Sequence, residues 1–333
     1  MQLKLTILLV NFVGKIIEQC AGTHKKYNLN FIKDNTLFQQ NETVLNNNHY
    51  VSQLSKLSII PTSDFLLSTI CFWNVTSKVH YFTFGNSLLL VLLNPPFGLA
   101  FGHLLTSNLT AELIEICKNE MQKLGVFQLK INCPNINENT VFSNIKMAED
   151  LDDFEYIYHL SDIALLQGSK YKKQRNSISK AIKENEGLTA EIFNLNDIDD
   201  LDELKVFCED CMQIKSDKSN LNNANLQKEW LAFQKCLDMN KSFNLKILKL
   251  YANQKLSGLM IYEELNNEWI VGHFFKTFNG LGIYLLKELA TKLSDQNFKY
   301  FNFQEDRGVA SLRYFKQQLN PAFYLKTYSI AFN

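Results

Sequence analysis

Apolar and polar positions change their period several times along the chain, and each change marks an element. Residues 1–55 open on an apolar run and pass into a polar, Asn-rich stretch from Asn41 to His49 that reads as loop. Phe65 to Trp73 is apolar and aromatic. Val79 to Phe84 alternates with period two, and Ser87 to Leu93 is a continuous apolar run; both read as strands about a turn at Phe84-Gly85-Asn86. Asn94-Pro95-Pro96 stops the second strand. From Thr110 to Leu124 apolar residues recur at helical spacing, with Gly125 as the stop, and Val126 to Cys133 reads as a strand closed by Pro134.

The second half repeats this order. Lys246 to Tyr251 and Gly258 to Tyr262 read as strands around an Asn253-Gln254 turn, and Glu268 to Phe275 as a third. A turn at Phe278-Asn279-Gly280-Leu281-Gly282 opens a helix from Ile283 to Leu293, and Phe298 to Phe303 is the strand after it. Phe127 to Asn132 echoes Phe298 to Phe303, so the pattern predicts a duplicated α/β unit. The predicted organisation is a poorly readable segment 1–55, an N-terminal domain 56–155, a basic linking helix 156–187 and a C-terminal domain 188–333 carrying the site. Asp197 to Glu203 leads into a helix through Cys211, and Glu229 to Met239 is a further helix.

Composition narrows the function classes. Of 333 residues 46% are hydrophobic, enough for two cores. Lys plus Arg and Asp plus Glu are 34 each, a net charge of zero that argues against a protein whose main task is coating nucleic acid. The seven cysteines are scattered within apolar runs, as reduced buried thiols are, and the chain is expected in the cytoplasm. The apolar start resembles a short signal segment, but Lys15 and Glu18 follow at once. No apolar stretch reaches the roughly 18 residues that span a bilayer.

Two constellations can carry chemistry. In Thr277-Phe278-Asn279-Gly280-Leu281-Gly282, two glycines between a strand and a helix let backbone amides approach an anion such as a pyrophosphate. The other reading is a helix start that needs small residues for packing, and the pattern leaves both open. In Asn302-Phe303-Gln304-Glu305-Asp306-Arg307-Gly308, charges gather where a strand ends, and the following helix carries Arg313 and Lys316 three apart on one face. Open α/β sheets bind ligands at such strand ends. The opposing reading is a solvated loop with surface ion pairs. Cys208-Glu209-Asp210-Cys211 has metal-ligand spacing without a second pair, so it reads as core, and no metal is expected. His159 and His273 read as core histidines, His273 keeping a secondary candidacy because it precedes the glycine turn.

The run Asn302-Phe-Gln-Glu305-Asp306-Arg-Gly308-x-x-x-Leu312-Arg313-x-x-Lys316, followed by Pro321 and Tyr328, resembles the signature of the phosphatidylglycerol lysyltransferase C-terminal family. That family's usual form is Asn-x-Glu-x-Asp-x-Gly-x-x-Gly-Leu-Arg-x-x-Lys. Here Gln304 or a displaced Glu305 stands at its first acidic position, and Ser311 at its second glycine. The basic run Gly168-Ser-Lys170-Tyr-Lys-Lys173-Gln-Arg175-Asn176 is similar to a second segment of the family, and the likeness covers roughly residues 56–330. The resemblance implies an α/β (α+β) fold of two tandem GNAT-like domains, with mixed central sheets flanked by helices. It implies acyl or aminoacyl transfer by direct attack of an acceptor on an ester or thioester. By carry-over, Glu305, Asp306, Arg313 and Lys316 are the expected catalytic set, with Glu305 or Asp306 orienting or deprotonating the acceptor. Lys276, Asn279, Gly280 and Gly282 would hold a coenzyme A thioester. Lys170, Lys173, Arg175, Asn176 and Asn302 would meet a phosphate-bearing ligand. The first expectation is a CoA-thioester donor and no permanently bound cofactor. An aminoacyl-tRNA donor, with a tRNA and a peripheral membrane contact as partners, is the alternative, and a non-catalytic binding module the third.

Overall fold

The computed structural model describes residues 36–38, 48–57, 62–73, 78–93, 95, 99–136, 145–218, 223–278 and 280–332. The apolar N-terminal run and Asn279 lie outside them. The chain forms two compact units, one of residues up to Asp150 together with 326–333, the other Leu151–Leu325.

In the first unit, β1 (Thr36–Phe38), α1 (Asn48–Lys56) and α2 (Leu67–Trp73) precede a meander of β2 (Lys78–Phe84), β3 (Ser87–Leu93) and β4 (Phe101–Thr106). Helix α3 (Ala111–Lys123) crosses over to β5 (Gln128–Asn132), and β6 (Met147–Glu149) follows. The chain's last strand, β14 (Tyr328–Ala331), returns to pair between β5 and β6, so the sheet order is β1-β2-β3-β4-β5-β14-β6. Successive residues of a strand point to opposite faces. Leu88 and Leu90 join Tyr50, Phe65 and Ile70 on one side, Leu89 and Val91 join Ile114, Cys117 and Met121 on the other. Burial on both faces explains why β3 is a continuous apolar run. Thr110 caps α3, its hydroxyl accepting the Leu113 amide at 3.1 Å.

The second unit begins with β7 (Glu155–His159), α4 (Leu160–Leu165) and α5 (Lys172–Glu184). Then come β8 (Thr189–Asn194), α6 (Asp202–Lys218), α7 (Asn223–Asp238), β9 (Leu245–Ala252), β10 (Lys255–Glu264) and β11 (Trp269–Thr277). Helix α8 (Gly282–Ser294) crosses to β12 (Tyr300–Asn302), and α9 (Ala310–Gln317) and β13 (Phe323–Leu325) complete it. The order β8-β9-β10-β11-β12-β7-β13 repeats the first sheet in its five consecutive strands and in the sense of every pairing, while the sixth place is taken by the unit's first strand instead of the chain's last. Among the described strands each sheet has one parallel pair, β4 with β5 and β11 with β12, bridged by its crossover helix. The duplication read in the sequence is therefore present in topology.

Two expectations change. The basic helix is no linker: Gln174, Ile178 and Ala181 of α5 are buried, and the last two join the second unit's core beside Leu286 and Leu289 of α8. The boundary falls near Asp150, and residues 326–333 belong to the first unit. The six cysteines among the described residues are buried and in no disulfide, as read from composition.

Candidate functional site

Strands β11 and β12 run in register from Trp269 opposite Tyr300 to Val271 opposite Asn302, and there the pairing stops. Of the residues singled out at this strand end, Asn302 closes β12, Glu305 and Asp306 lie in the loop that follows, and Arg313 and Lys316 lie on α9. Three residues of the loop take the left-handed backbone region, Gln304 at φ +57°, Arg307 at +51° and Gly308 at +74°. Non-glycine residues persist there only where surroundings over-determine them.

The surroundings are a closed polar network. Asp306 is fully buried. Its Oδ2 accepts Tyr156 Oη at 2.5 Å and Arg313 Nε at 2.8 Å; its Oδ1 accepts Arg313 Nη2 at 2.7 Å and the Gly308 amide at 2.9 Å. A carboxylate has about four acceptor positions, so all are filled. Burial pushes the Asp306 carboxyl up, but the bonds from Arg313, Tyr156 and Gly308 outweigh it and hold it below the usual range. Arg313 is raised in turn by Asp306 and then by Asp152, whose Oδ1 accepts its Nη2 at 2.6 Å. Tyr156 is raised by burial first and then by its bond to Asp306.

Lys316 is buried, and its ammonium donates to the carbonyl oxygens of Phe303, Gln304 and Glu305 at 2.5, 3.2 and 2.8 Å. Burial pulls it down to about 8, against the opposing charges of Glu305, Asp306 and Glu155. Glu305 accepts Arg307 Nε at 2.7 Å, and Arg307 Nη1 reaches Asp153 at 2.9 Å. Asn302 is buried, donating to Glu155 Oε2 at 2.7 Å and accepting the Gln304 amide at 2.8 Å. The structure thus brings Asn302, Glu305, Asp306, Arg313 and Lys316 together. It makes Asp306 an anchor with no acceptor position left for a proton, and the base role expected of it is corrected on that ground.

The expected CoA turn is engaged otherwise. A Cβ on Gly282, the first residue of α8, would stand 3.3 Å from the Phe275 ring and 3.5 Å from Phe315, so this glycine makes room for aromatic packing. Lys276 is buried in an ion pair with Glu229 of α7. Gly280 is exposed at φ +88° and remains compatible with an anion-binding turn. In the basic segment, Arg175 Nη1 donates to the carbonyls of Leu166 and Gly168 at 2.6 and 2.8 Å, tying down the turn before α5. Lys173 donates to Tyr314 Oη at 2.5 Å, and Lys170 lies 4.0 Å from Asp162. Asn176, Lys172, Lys180 and Lys183 are exposed on α5.

Sequence reasoning kept one further group only as a secondary candidate, and the structure gives it partners. His273 follows Gly272 in β11, where the register to β10 slips: Ile261 faces Phe274 and Tyr262 faces Gly272. His273 is thus the extra residue of a bulge, a device that re-aims a side chain. Its buried imidazole meets Glu263 Oε2 at 3.1 Å through Nε2, and Gln304 Nε2 at 3.5 Å through Nδ1. Its place before the glycine turn was the signal for it, and nothing in the sequence singled out Glu263. Among the described residues no group of His, Cys, Asp or Glu could hold a metal ion, and no helix is long and apolar enough to cross a membrane.

Comparison places this architecture. A conserved protein of unknown function from Bacteroides thetaiotaomicron superposes with TM-score 0.61 at 18% identity, covering 80% of this chain and 90% of that one. L-PGS from Bacillus licheniformis superposes at 0.53 with 12% identity, over 85% and 91%. The C-terminal domain of a protein assigned as a lysylphosphatidylglycerol synthetase from Agrobacterium fabrum gives 0.54 at 11% identity, over 86% and 92%. These likenesses show the fold, and the expected tandem GNAT-like architecture with mixed sheets flanked by helices is present. An uncharacterised protein of Mycoplasmoides gallisepticum is 28% identical over 177 residues, 53% of this chain and 55% of that protein, so the match spans about half of that relative's length. The family described as phosphatidylglycerol lysyltransferase, C-terminal, matches residues 63–331, both units with the strand-end network inside them, and the chain belongs to that family.

Proposed function

We propose that the chain is an aminoacyltransferase that moves an aminoacyl group from an aminoacyl-tRNA to an acceptor nucleophile, a lipid headgroup being the acceptor the family suggests. The observation that carries the reading is the outer face of α5. Lys172, Lys173, Arg175, Lys180 and Lys183 are exposed on a helix that buries only Gln174, Ile178 and Ala181. A row of cations on a protein of zero net charge is what a phosphate backbone binds, releasing counterions. Such a donor places the reaction in the cytoplasm. The step is direct attack on the aminoacyl ester, with rate gained by positioning and by stabilising the developing oxyanion.

A CoA thioester remains the second reading, favoured by the open left-handed turn at Gly280. It is weakened by Lys276 and Gly282, which are engaged with Glu229, Phe275 and Phe315. The test is filter binding of charged and uncharged tRNA across a salt series, beside titration with acetyl-CoA. The triple change K172A/K180A/K183A is expected to flatten the plot of log affinity against log salt by about 2–3 units, near one per lysine. It is also expected to slow transfer of labelled amino acid from tRNA into phosphatidylglycerol vesicles. Salt-insensitive tRNA retention together with saturable acetyl-CoA binding would replace this reading with the second.

A further inference from the structure

The two units supply an internal comparison. Each carries a Gly-His pair on the first strand of its parallel pair, Gly102-His103 on β4 and Gly272-His273 on β11. Both imidazoles are buried, and both reach an amide carried by the strand after the crossover or the loop beyond it.

In the first unit that amide is immobilised. Asn132 lies within β5, and its Oδ1 accepts from His103 Nε2 and from the Thr62 hydroxyl. Its Nδ2 donates to Lys326 O and Thr327 Oγ1, both at 2.9 Å, where the chain's last strand returns. His103 Nδ1 faces Asp64 at 3.3 Å. Nothing here can yield to a ligand without loosening β14.

The second unit differs in kind. The amide belongs to Gln304, which lies past the end of β12, is half-buried, and sits at a positive φ. Its contact with His273 Nδ1, at 3.5 Å, is at the limit of a hydrogen bond. Glu263 is only an acceptor toward Nε2, so in the neutral ring that nitrogen carries the proton and Nδ1 presents a lone pair. Two unrelated backbone devices, the bulge at His273 and the left-handed residue at Gln304, converge at the C-terminal ends of the parallel pair, where open α/β sheets place ligands.

We propose that His273 is the general base of the transfer, oriented by Glu263 and covered by Gln304, whose amide the acceptor displaces. This rests on the aminoacyl-transfer reading above. Nδ1 takes the proton of the acceptor O–H or N–H as that atom attacks the ester carbonyl carbon. The carbon–oxygen bond to the tRNA ribose breaks, and the imidazolium returns the same proton to the leaving ribose oxygen, with no net proton gained. Glu263 stabilises the imidazolium between the two transfers, the role a carboxylate plays behind a histidine base.

The experiment combines transfer kinetics with a chemical probe that needs no catalysis. With labelled aminoacyl-tRNA and phosphatidylglycerol vesicles, H273Q is expected to lower kcat by about 100-fold or more while KM for aminoacyl-tRNA stays within threefold. E263Q should fall between it and the wild type. If the wild type transfers and H273Q keeps kcat within fivefold, the base is elsewhere although the transferase reading stands. If the wild type moves no label under any salt condition, the transferase reading itself fails, and the assignment of a base falls with it. Should H273Q not fold, Q304A decides: diethyl pyrocarbonate is expected to modify His273 at least fivefold faster than in the wild type. An unchanged modification rate in Q304A overturns the proposal.

Discussion

Replacing Asp306 by Asn separates an anchor from a catalytic carboxylate. The change conserves shape, and Asp306 is fully buried, so its effect is electrostatic. The new NH2 cannot stand at Oδ1, where it would oppose both the Gly308 amide and Arg313 Nη2. It must replace Oδ2, where Tyr156 can turn its hydroxyl to accept but Arg313 Nε cannot. One charge-assisted bond is lost outright and the other weakened, each worth about 1.5–3 kcal/mol. Removing one partner of a buried pair costs about 3–5 kcal/mol. Arg313 retains Asp152 at 2.6 Å, and its side chain is 30% exposed, which moderates the penalty. The expected loss is about 2–4 kcal/mol in the second unit, a drop in Tm of roughly 5–15 °C for a unit of this size. Urea unfolding followed by the fluorescence of buried Trp269 measures it. A double-mutant cycle with R313M should return a coupling of about 1.5–3 kcal/mol. If D306N unfolds within about 0.5 kcal/mol of wild type, the scatter of neutral surface changes, yet loses transfer a hundredfold, Asp306 acts in the chemistry and is not merely an anchor.

Lys316 gives a pH signature of definite sign. Its folded value of about 8 lies below the roughly 10.4 of an unfolded lysine, so between those pH values the unfolded chain holds more protons. Stability therefore rises with pH across that window, by up to about 3 kcal/mol, and the burden is fully present below pH 8. Comparing urea midpoints of wild type and K316M between pH 7.5 and 9.5 isolates it; equal slopes would show that the three carbonyl acceptors keep the ammonium charged throughout. Gly308→Ala is expected to destabilise by about 2–3 kcal/mol, since the backbone is left-handed and the added Cβ would stand 2.8 Å from Asp152 Oδ2. Thermal unfolding checks it, and D152A should make the alanine more tolerable if the clash is part of the loss.

Elements with local signals were legible. The hairpin of β9 and β10 announces itself by Asn253-Gln254, both at positive φ, and α3 by Thr110 and Gly125. Strand β4 was passed over because Phe101-Gly102-His103-Leu104-Leu105-Thr106 is buried throughout and has no period-two pattern. Its glycine imitates a break, whereas it makes room for Met121 of the crossover helix. Helix α5 read as a linker because its charges are local and its partners in α8 are about a hundred residues away in sequence. The strand-end charges were found as a cluster, but the closure of Asp306 was not legible. Whether a carboxylate is available depends on what surrounds it, and Asp306 is closed off by Tyr156, 150 positions earlier.

The network's energetics explain why so many charges gather at one strand end. A loop with Gln304 and Arg307 in the left-handed region has several extended alternatives that relieve the strain. Hydrophobic packing would not choose among them, because the loop is polar. Lys316 does choose: three carbonyls must converge on one ammonium, which fixes the backbone of residues 303–305. Asp306 fixes the next residues through Gly308 and Arg313, and Arg307 ties the turn to Asp153. A buried polar network that is fully satisfied rigidifies what it surrounds, and one missing member leaves a charge exposed to an apolar interior. The motif is thus a mould for backbone shape, and what it shapes is the position of Gln304 over His273. Residues that mark a family in sequence can act on substrate only through the geometry they impose on a neighbour.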